Sequence, residues 1–309
     1  YGIPYSNDMT IDPSMQLANN VVLREGMTAE KIKTDKPKKN WVPLLRNEEV
    51  VEYPCDQSTL TQRYTQEAVN FIEENQKKPF FLYMPHTLPH IPLAASQEFK
   101  GSSLGGFYGD TIEEIDWSVG EILSTLKRLK IDNNTLVIFT TDNGPWNLKN
   151  GHGGSALPLR GYKFQTYEGG MRVPCIMRWP GKIPAGSECH EIASTIDLLP
   201  TFARITGATV PSERVIDGMD IFPLMLGRAD ARSPHQSFYY YRGRKLEAMR
   251  QGSWKIRFNK EIELYHLGRD LSETKNLAAK HPQRVKSMLR EMKVFDESLR
   301  ANSRPEGRL

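Results

Sequence analysis

The sequence predicts an α/β fold built on a mainly parallel central sheet flanked by helices, with a small C-terminal subdomain of antiparallel sheet plus helix. Three observations predict it. Two segments with helical apolar spacing, 59–76 and 111–130, alternate with two short apolar runs, 80–84 and 135–141, the succession that a parallel sheet covered by helices requires. The second run, TLVIFTT, is continuously apolar with β-branched residues, which suits a strand buried on both faces. Beyond Leu226 the pattern changes to short runs separated by Gly, Asn and charged turns, as in antiparallel hairpins.

Taken in order, residues 1–58 are rich in Pro, Asn, Asp and Lys, with short strands expected at 20–24 and 42–45 and an exposed loop at KTDKPKKNW. Leu60, Tyr64, Ala68, Phe71 and Ile72 form one face of a helix from Thr59 to Gln76. Pro79 then interrupts, FFLYM (80–84) reads as a buried strand, and the loop PHTLPHIPLAAS follows. A second helix runs from Thr111 to Lys130 on the stripe Ile112, Ile115, Val119, Ile122, Leu126 and Leu129, with Thr111 and Glu114 spaced as a capping box. After the strand at 135–141, RVPCIMRW (172–179) suggests another strand and Thr195–Thr206 a short helix containing Pro200. SFYYYRG, KLEAMRQG, SWKIRF and IELYHL read as strands, and 282–299 as a closing helix. These elements predict an α/β domain over 1–226 and an α+β subdomain over 227–309.

The 309 residues are 39% hydrophobic and 25% charged, an ordinary globular composition that excludes a disordered or collagenous chain. No apolar run reaches the ~20 residues of a membrane span, and no nucleic-acid motif is present. From Arg228 onward 19 Lys and Arg face 10 Asp and Glu, whereas the preceding residues hold 22 against 27. Such a basic C-terminal part suits an anionic substrate or polymer, or simply a solvated face. Cys55, Cys175 and Cys189 form no CxxC pair, leaving one disulfide or three thiols open. The chain opens on Tyr1 inside what reads as a folded loop, and is expected to be part of a longer sequence.

Three segments carry chemistry. In TTDNGP (140–145), Asp142 and Asn143 end the predicted strand and present hard oxygens at its carboxyl end, the donors that calcium takes; the same tripeptide is also an ordinary turn. In PHTLPHIP (85–92), prolines stiffen a loop holding His86 and His90, and an imidazole there can bind an anion or protonate a leaving oxygen. GHGGSALPLRGYKFQTYEGGMRVP (151–174) combines glycines, which permit close backbone approach, with His152, Arg160, Lys163 and Arg172. Lys163 offers a compact positive charge for an anionic group. No helix clearly opens after these glycines, so they make no dinucleotide fingerprint.

Together and in this order, YGIPYSNDM, PFFLYMPHTLPHIP, GDTIEEIDWSVGEIL, NTLVIFTTDNGP, LRGYKFQTYEGGMRVPCIMRWPGKI, STIDLLPTFARITGA, DGMDIFPLMLG and ELYHLGRDLSETKNLA resemble the sulfatase family, of the arylsulfatase A and N-acetylgalactosamine-6-sulfatase type. The resemblance spans most of the chain from Tyr1 to Leu277. It implies an alkaline-phosphatase-like fold and a sulfuric ester hydrolase acting on aryl or carbohydrate sulfates in a secreted, periplasmic or lysosomal setting. It also implies one calcium ion bound in part by Asp142 and Asn143, with Lys163 and His90 as catalytic contacts to the sulfate. His86 and His152 are implied substrate contacts, whereas Arg160, Glu168 and Arg172 are expected to hold the loop together.

The departure from the family is equally specific. Sulfatases attack sulfur with a hydrated formylglycine made from the Cys or Ser of a C/S-x-P-x-R motif. Here Cys55 is followed by Asp-Gln-Ser, Cys175 by Ile-Met-Arg and Cys189 by His-Glu-Ile, and no Ser opens the motif. The nucleophile and the remaining calcium carboxylates are therefore expected upstream of Tyr1, and these 309 residues alone are expected to be inactive. The competing readings are a phosphatase or phosphonate hydrolase of the same superfamily, and a non-catalytic fragment binding a sulfated glycan.

Overall fold

A computed structural model describes residues 1–147 and 151–305. Its described residues divide into two units, Tyr1–Thr135 with 151–154, and Leu136–Asn147 with 155–305. The first unit contains β1 (Gln16–Leu23), α1 (Ala29–Thr34), β2 (Leu44–Arg46), β3 (Glu49–Tyr53), α2 (Leu60–Asn75) and α3 (Gly106–Arg128). β3 is the central strand of three. It runs parallel to β1, with Leu17 opposite Val50 and Leu23 opposite Tyr53, and antiparallel to β2. Ile11, Ile32, Val50 and Tyr53 close one apolar cluster and Val42, Leu44, Cys55, Leu60 and Tyr64 another. Along α2, Leu60, Tyr64, Ala68 and Ile72 are buried as their spacing requires.

The α3 helix begins at Gly106, not at Thr111. Thr111 and Glu114 form no capping box; both lie inside the helix and are fully buried. The Thr111 hydroxyl donates to the Phe107 carbonyl (3.1 Å), and the Glu114 carboxylate accepts the Ser96 amide (2.9 Å). Asp110 likewise accepts the amides of Gly101 and Ser103. Glu114 and Asp110 thus satisfy backbone donors of the preceding loop, which need partners once buried. The run 80–84, expected as a buried strand, is not one: Phe81 and Tyr83 are 71% and 75% exposed and alternate with half-buried neighbours.

In the second unit β4 (Val137–Thr140), α4 (Glu168–Met171) and β5 (Cys175–Arg178) come first. β4 pairs antiparallel with β5, and Phe139 is 38% exposed, so β4 is not covered on both faces. Among the described residues, parallel pairing is confined to β1 and β3. α5 (Leu198–Thr206) and α6 (Phe222–Met225) follow; α5 is preceded by a turn capped reciprocally by Ser194 and Asp197. Then β6 (Ser237–Arg242), β7 (Lys245–Gln251), β8 (Trp254–Phe258) and β9 (Ile262–His266) form the expected antiparallel meander. α7 (Pro282–Ala301) lays Met288 and Met292 against Met249, Ile256 and Leu264. All three cysteines are free thiols, and burial pushes that of Cys55 up to about 12. Among the described residues, no helix is long and apolar enough to cross a membrane.

Candidate active site

The second unit brings Asp142, Asn143 and Lys163 onto adjoining loops. β4 ends at Thr140, and the exposed Asp142 and half-buried Asn143 follow in a bend. The Gly144 amide donates to the Gly170 carbonyl (3.2 Å) and the Lys163 amide to the Pro145 carbonyl (2.9 Å). Backbone approaches backbone so closely that a Cβ on Gly144 would lie 1.9 Å from the Gly169 oxygen, an approach only glycine permits. The Lys163 ammonium stands 5.4 Å from the ring centroids of both Trp146 and Phe164, within range for cation–π attraction. The two rings meet edge to face at 6.1 Å.

The loop bearing Lys163 is held from below. The Gly169 amide donates to the Arg160 carbonyl (2.7 Å) and the Gln165 amide to the Tyr162 carbonyl (3.0 Å). The Arg160 guanidinium lies 4.1 Å from the Tyr167 ring centroid and donates to the Glu273 carbonyl (2.8 Å). Glu168, at the start of α4, is fully buried. Burial, the largest single effect, works to raise its carboxyl, but the Lys255 ammonium, Arg250 and the Tyr240 hydroxyl together hold it below the usual glutamate range. Arg160 and Glu168 thus fasten the loop, as expected; Arg172 is exposed and its amide donates to the Glu168 carbonyl.

The histidines belong to the first unit. The His90 Nδ1 lies 2.8 Å from the Ile91 carbonyl and 3.0 Å from Asn7 Oδ1. Two such acceptors place the neutral ring's proton on Nδ1, so donation from Nε2 requires the imidazolium. Asn7 is fully buried, and its amide also donates to the carbonyls of His90 (2.8 Å) and Pro92 (2.9 Å). It clamps both the ring and the loop, a role that its place in a polar Ser-Asn-Asp stretch did not suggest. The Ser6 hydroxyl donates to Asp8 (2.6 Å), and this bond, against a smaller effect of burial, holds the Asp8 carboxyl low. Burial pushes His86 down to about 4, so its ring is neutral near pH 7, and its Nδ1 has no hydrogen-bond partner among the described residues. His152 is exposed; two residues later Gly154 packs against the Tyr108 ring. Residues 148–150, part of the polar loop after β4, lie outside the described residues.

Among the described residues, no group of three or more His, Cys, Asp and Glu stands together to hold a metal ion. Asp142 and Asn143 have the oxygen chemistry for calcium but supply two donors, against the six to eight that calcium takes.

Comparison with known proteins finds relatives for the chain. The sulfatase family model matches residues 18–208, and the model described as N-sulphoglucosamine sulphohydrolase, C-terminal, matches 162–299. Human steryl-sulfatase is 42% identical over 212 residues, covering 67% of this chain and 36% of its own length. Dog N-acetylgalactosamine-6-sulfatase is 44% identical over 229 residues, covering 70% and 43%. The chain thus spans less than half the length of these relatives. A solved structure of Ps i-CgsB in complex with k-i-k-neocarrahexaose superposes with a TM-score of 0.72 at 30% identity, covering 82% of this chain and 58% of that one.

Proposed function

The chain belongs to the sulfatase family, and from that premise we propose that it forms the substrate-gripping part of a sulfate-monoester hydrolase acting on an aryl or carbohydrate sulfate. The supporting observation is the backbone lacing of the Asp142–Asn143 loop to the Lys163 loop. It sets two oxygen donors and one ammonium on a common, glycine-packed scaffold.

In this reading Lys163 balances charge on the sulfuryl oxygens, with its ammonium kept near the Trp146 and Phe164 rings. His90, with its Nδ1 held by Asn7 and Ile91, contacts the sulfate or the departing oxygen through Nε2. Asp142 and Asn143 contribute two ligands to calcium, which when bound would offset negative charge on the reacting group. The other ligands, and a formylglycine nucleophile, come from outside these 309 residues, which contain no C/S-x-P-x-R motif. The family resemblance supports a secreted, periplasmic or lysosomal setting.

The test uses the full-length protein. Lys163→Ala is expected to lower kcat on a chromogenic aryl sulfate by about 100-fold or more, the usual cost of removing one preorganised charge-stabilising donor. An unchanged rate, or turnover of aryl phosphates with aryl sulfates untouched, rules the reading out.

A further inference from the structure

The glycine-rich loop carrying Lys163 has little apolar core of its own, and its anchor is a buried ion cluster on the four-stranded sheet. Lys255 in β8 is fully buried, and its ammonium lies 2.9 Å from Glu168 Oε1 and 3.1 Å from Glu273 Oε1. The Tyr240 hydroxyl donates to Glu168 Oε1 (3.2 Å), and Arg250 stands 3.7 Å from Glu168 Oε2. Glu273 Oε2 accepts the backbone amide of Glu168 (2.7 Å). Both the side chain and the amide of the first residue of α4 are therefore held by the same cluster.

Stability alone is a poor reason for such a cluster. Removing two carboxylates and two cations from water costs so much that apolar residues of similar volume often serve as well or better. β8 needs none of it, since its backbone pairs with β7 and β9 along its length. Charge-assisted bonds supply what apolar packing does not, a fixed direction and distance. From Glu168 the path to the site is short. Gly169 donates to the Arg160 carbonyl, the Gly170 carbonyl accepts from Gly144 beside Asn143, and the Lys163 amide closes on Pro145. Beside it, Thr166 donates to Glu247 and accepts from Arg257, whose guanidinium lies 3.9 Å from the Tyr167 ring centroid.

We propose that Lys255 is a positioning residue for sulfate-ester cleavage, which through Glu168 and Glu273 sets the Lys163 loop against the Asp142–Asn143 loop. This rests on the reading of Lys163 as the sulfate-binding cation.

A double-mutant cycle in the full-length enzyme tests it. Lys255→Met is expected to lower kcat on an aryl sulfate by about 10- to 100-fold, the scale of a displaced catalytic group. In a Lys163→Ala background the same substitution should change kcat by less than about 2-fold, because coupled residues are not additive. Equal losses in both backgrounds, or a wild-type kcat for Lys255→Met, overturn the proposal. Hydrogen exchange reads the geometry without turnover: the amides of Lys163 and Gly170 should lose protection in Lys255→Met, and unchanged protection also overturns it. If Lys163→Ala leaves turnover intact, the sulfate-binding reading fails, and exchange alone decides whether Lys255 holds the loop. Should Lys255→Met not fold, the volume-conserving Glu273→Gln is expected to give the same non-additive pattern at smaller amplitude, and additivity there counts against the proposal.

Discussion

His86 and His90 lie four residues apart in one proline-rich loop, yet their surroundings give them opposite characters. His90 has its Nδ1 engaged by Asn7 and Ile91; His86 is pressed into a dry site that pushes its pKa down to about 4 from an ordinary 6.5. The linkage has a definite sign. The folded state binds the His86 proton more weakly than the unfolded chain does, so the stability is complete above the ordinary value and declines as pH falls from about 6.5 towards 4. In His86→Gln this contribution is absent. Urea unfolding of the full-length protein at pH 7 and pH 4.5 is expected to show a larger acid-induced drop for the wild type than for the variant, and equal drops would refute it. Asp142, Asn143, Lys163 and His90 stand out in the sequence as candidates because carboxylate, amide, ammonium and imidazole are conspicuous in a loop motif. Asn7 and Lys255 do not, because their roles come from partners 83 and 87 residues away.

At the level of elements, the site depends on backbone-to-backbone contact between the bend after β4 and the segment leading into α4. Gly144→Ala would place its methyl group 1.9 Å from the Gly169 oxygen. Neither strand of the contact can withdraw without breaking the Gly144–Gly170 and Lys163–Pro145 hydrogen bonds. The variant of the full-length protein should lose about 1–3 kcal/mol, the common cost of overpacking, and should lose aryl sulfatase activity beyond that expected from its folded fraction. Thermal unfolding and kcat per folded molecule check both parts. Elements governed by local periodicity were readable: α2, α7 and the four-strand meander lie where their apolar spacing placed them. Thr111 and Glu114 misled because buried polar residues bonded to a neighbouring loop, here at the Ala94 carbonyl and the Ser96 amide, have the same sequence spacing as a helix cap.

Across the whole chain, what the sequence could not reveal was pairing. FFLYM and TLVIFTT are both apolar, but among the described residues only the second forms a strand, paired antiparallel with β5. Partner choice depends on contacts distant in sequence, which composition does not encode. Calcium gives a test at this scale that does not depend on turnover. A ligand bound only by the folded state raises stability by mass action. Chelation should therefore lower the Tm of the full-length enzyme, and Asp142→Ala should remove that sensitivity; a chelator-insensitive Tm in the wild type would exclude calcium from this position.

The cluster joining Glu168 to Lys255 also imposes an order of events during synthesis. Lys163 leaves the ribosome about 90 residues before Lys255, an interval of about 5 to 20 s at roughly 5–20 residues per second. For most of that interval Glu168 has been made but Lys255 has not, and only local contacts such as the Gly169 amide on the Arg160 carbonyl hold the loop. Lys163 is thus translated early, and its link to Lys255 is completed late. A nascent chain halted between α4 and β8 would contain Asp142, Asn143, Lys163 and His90, yet lack Lys255.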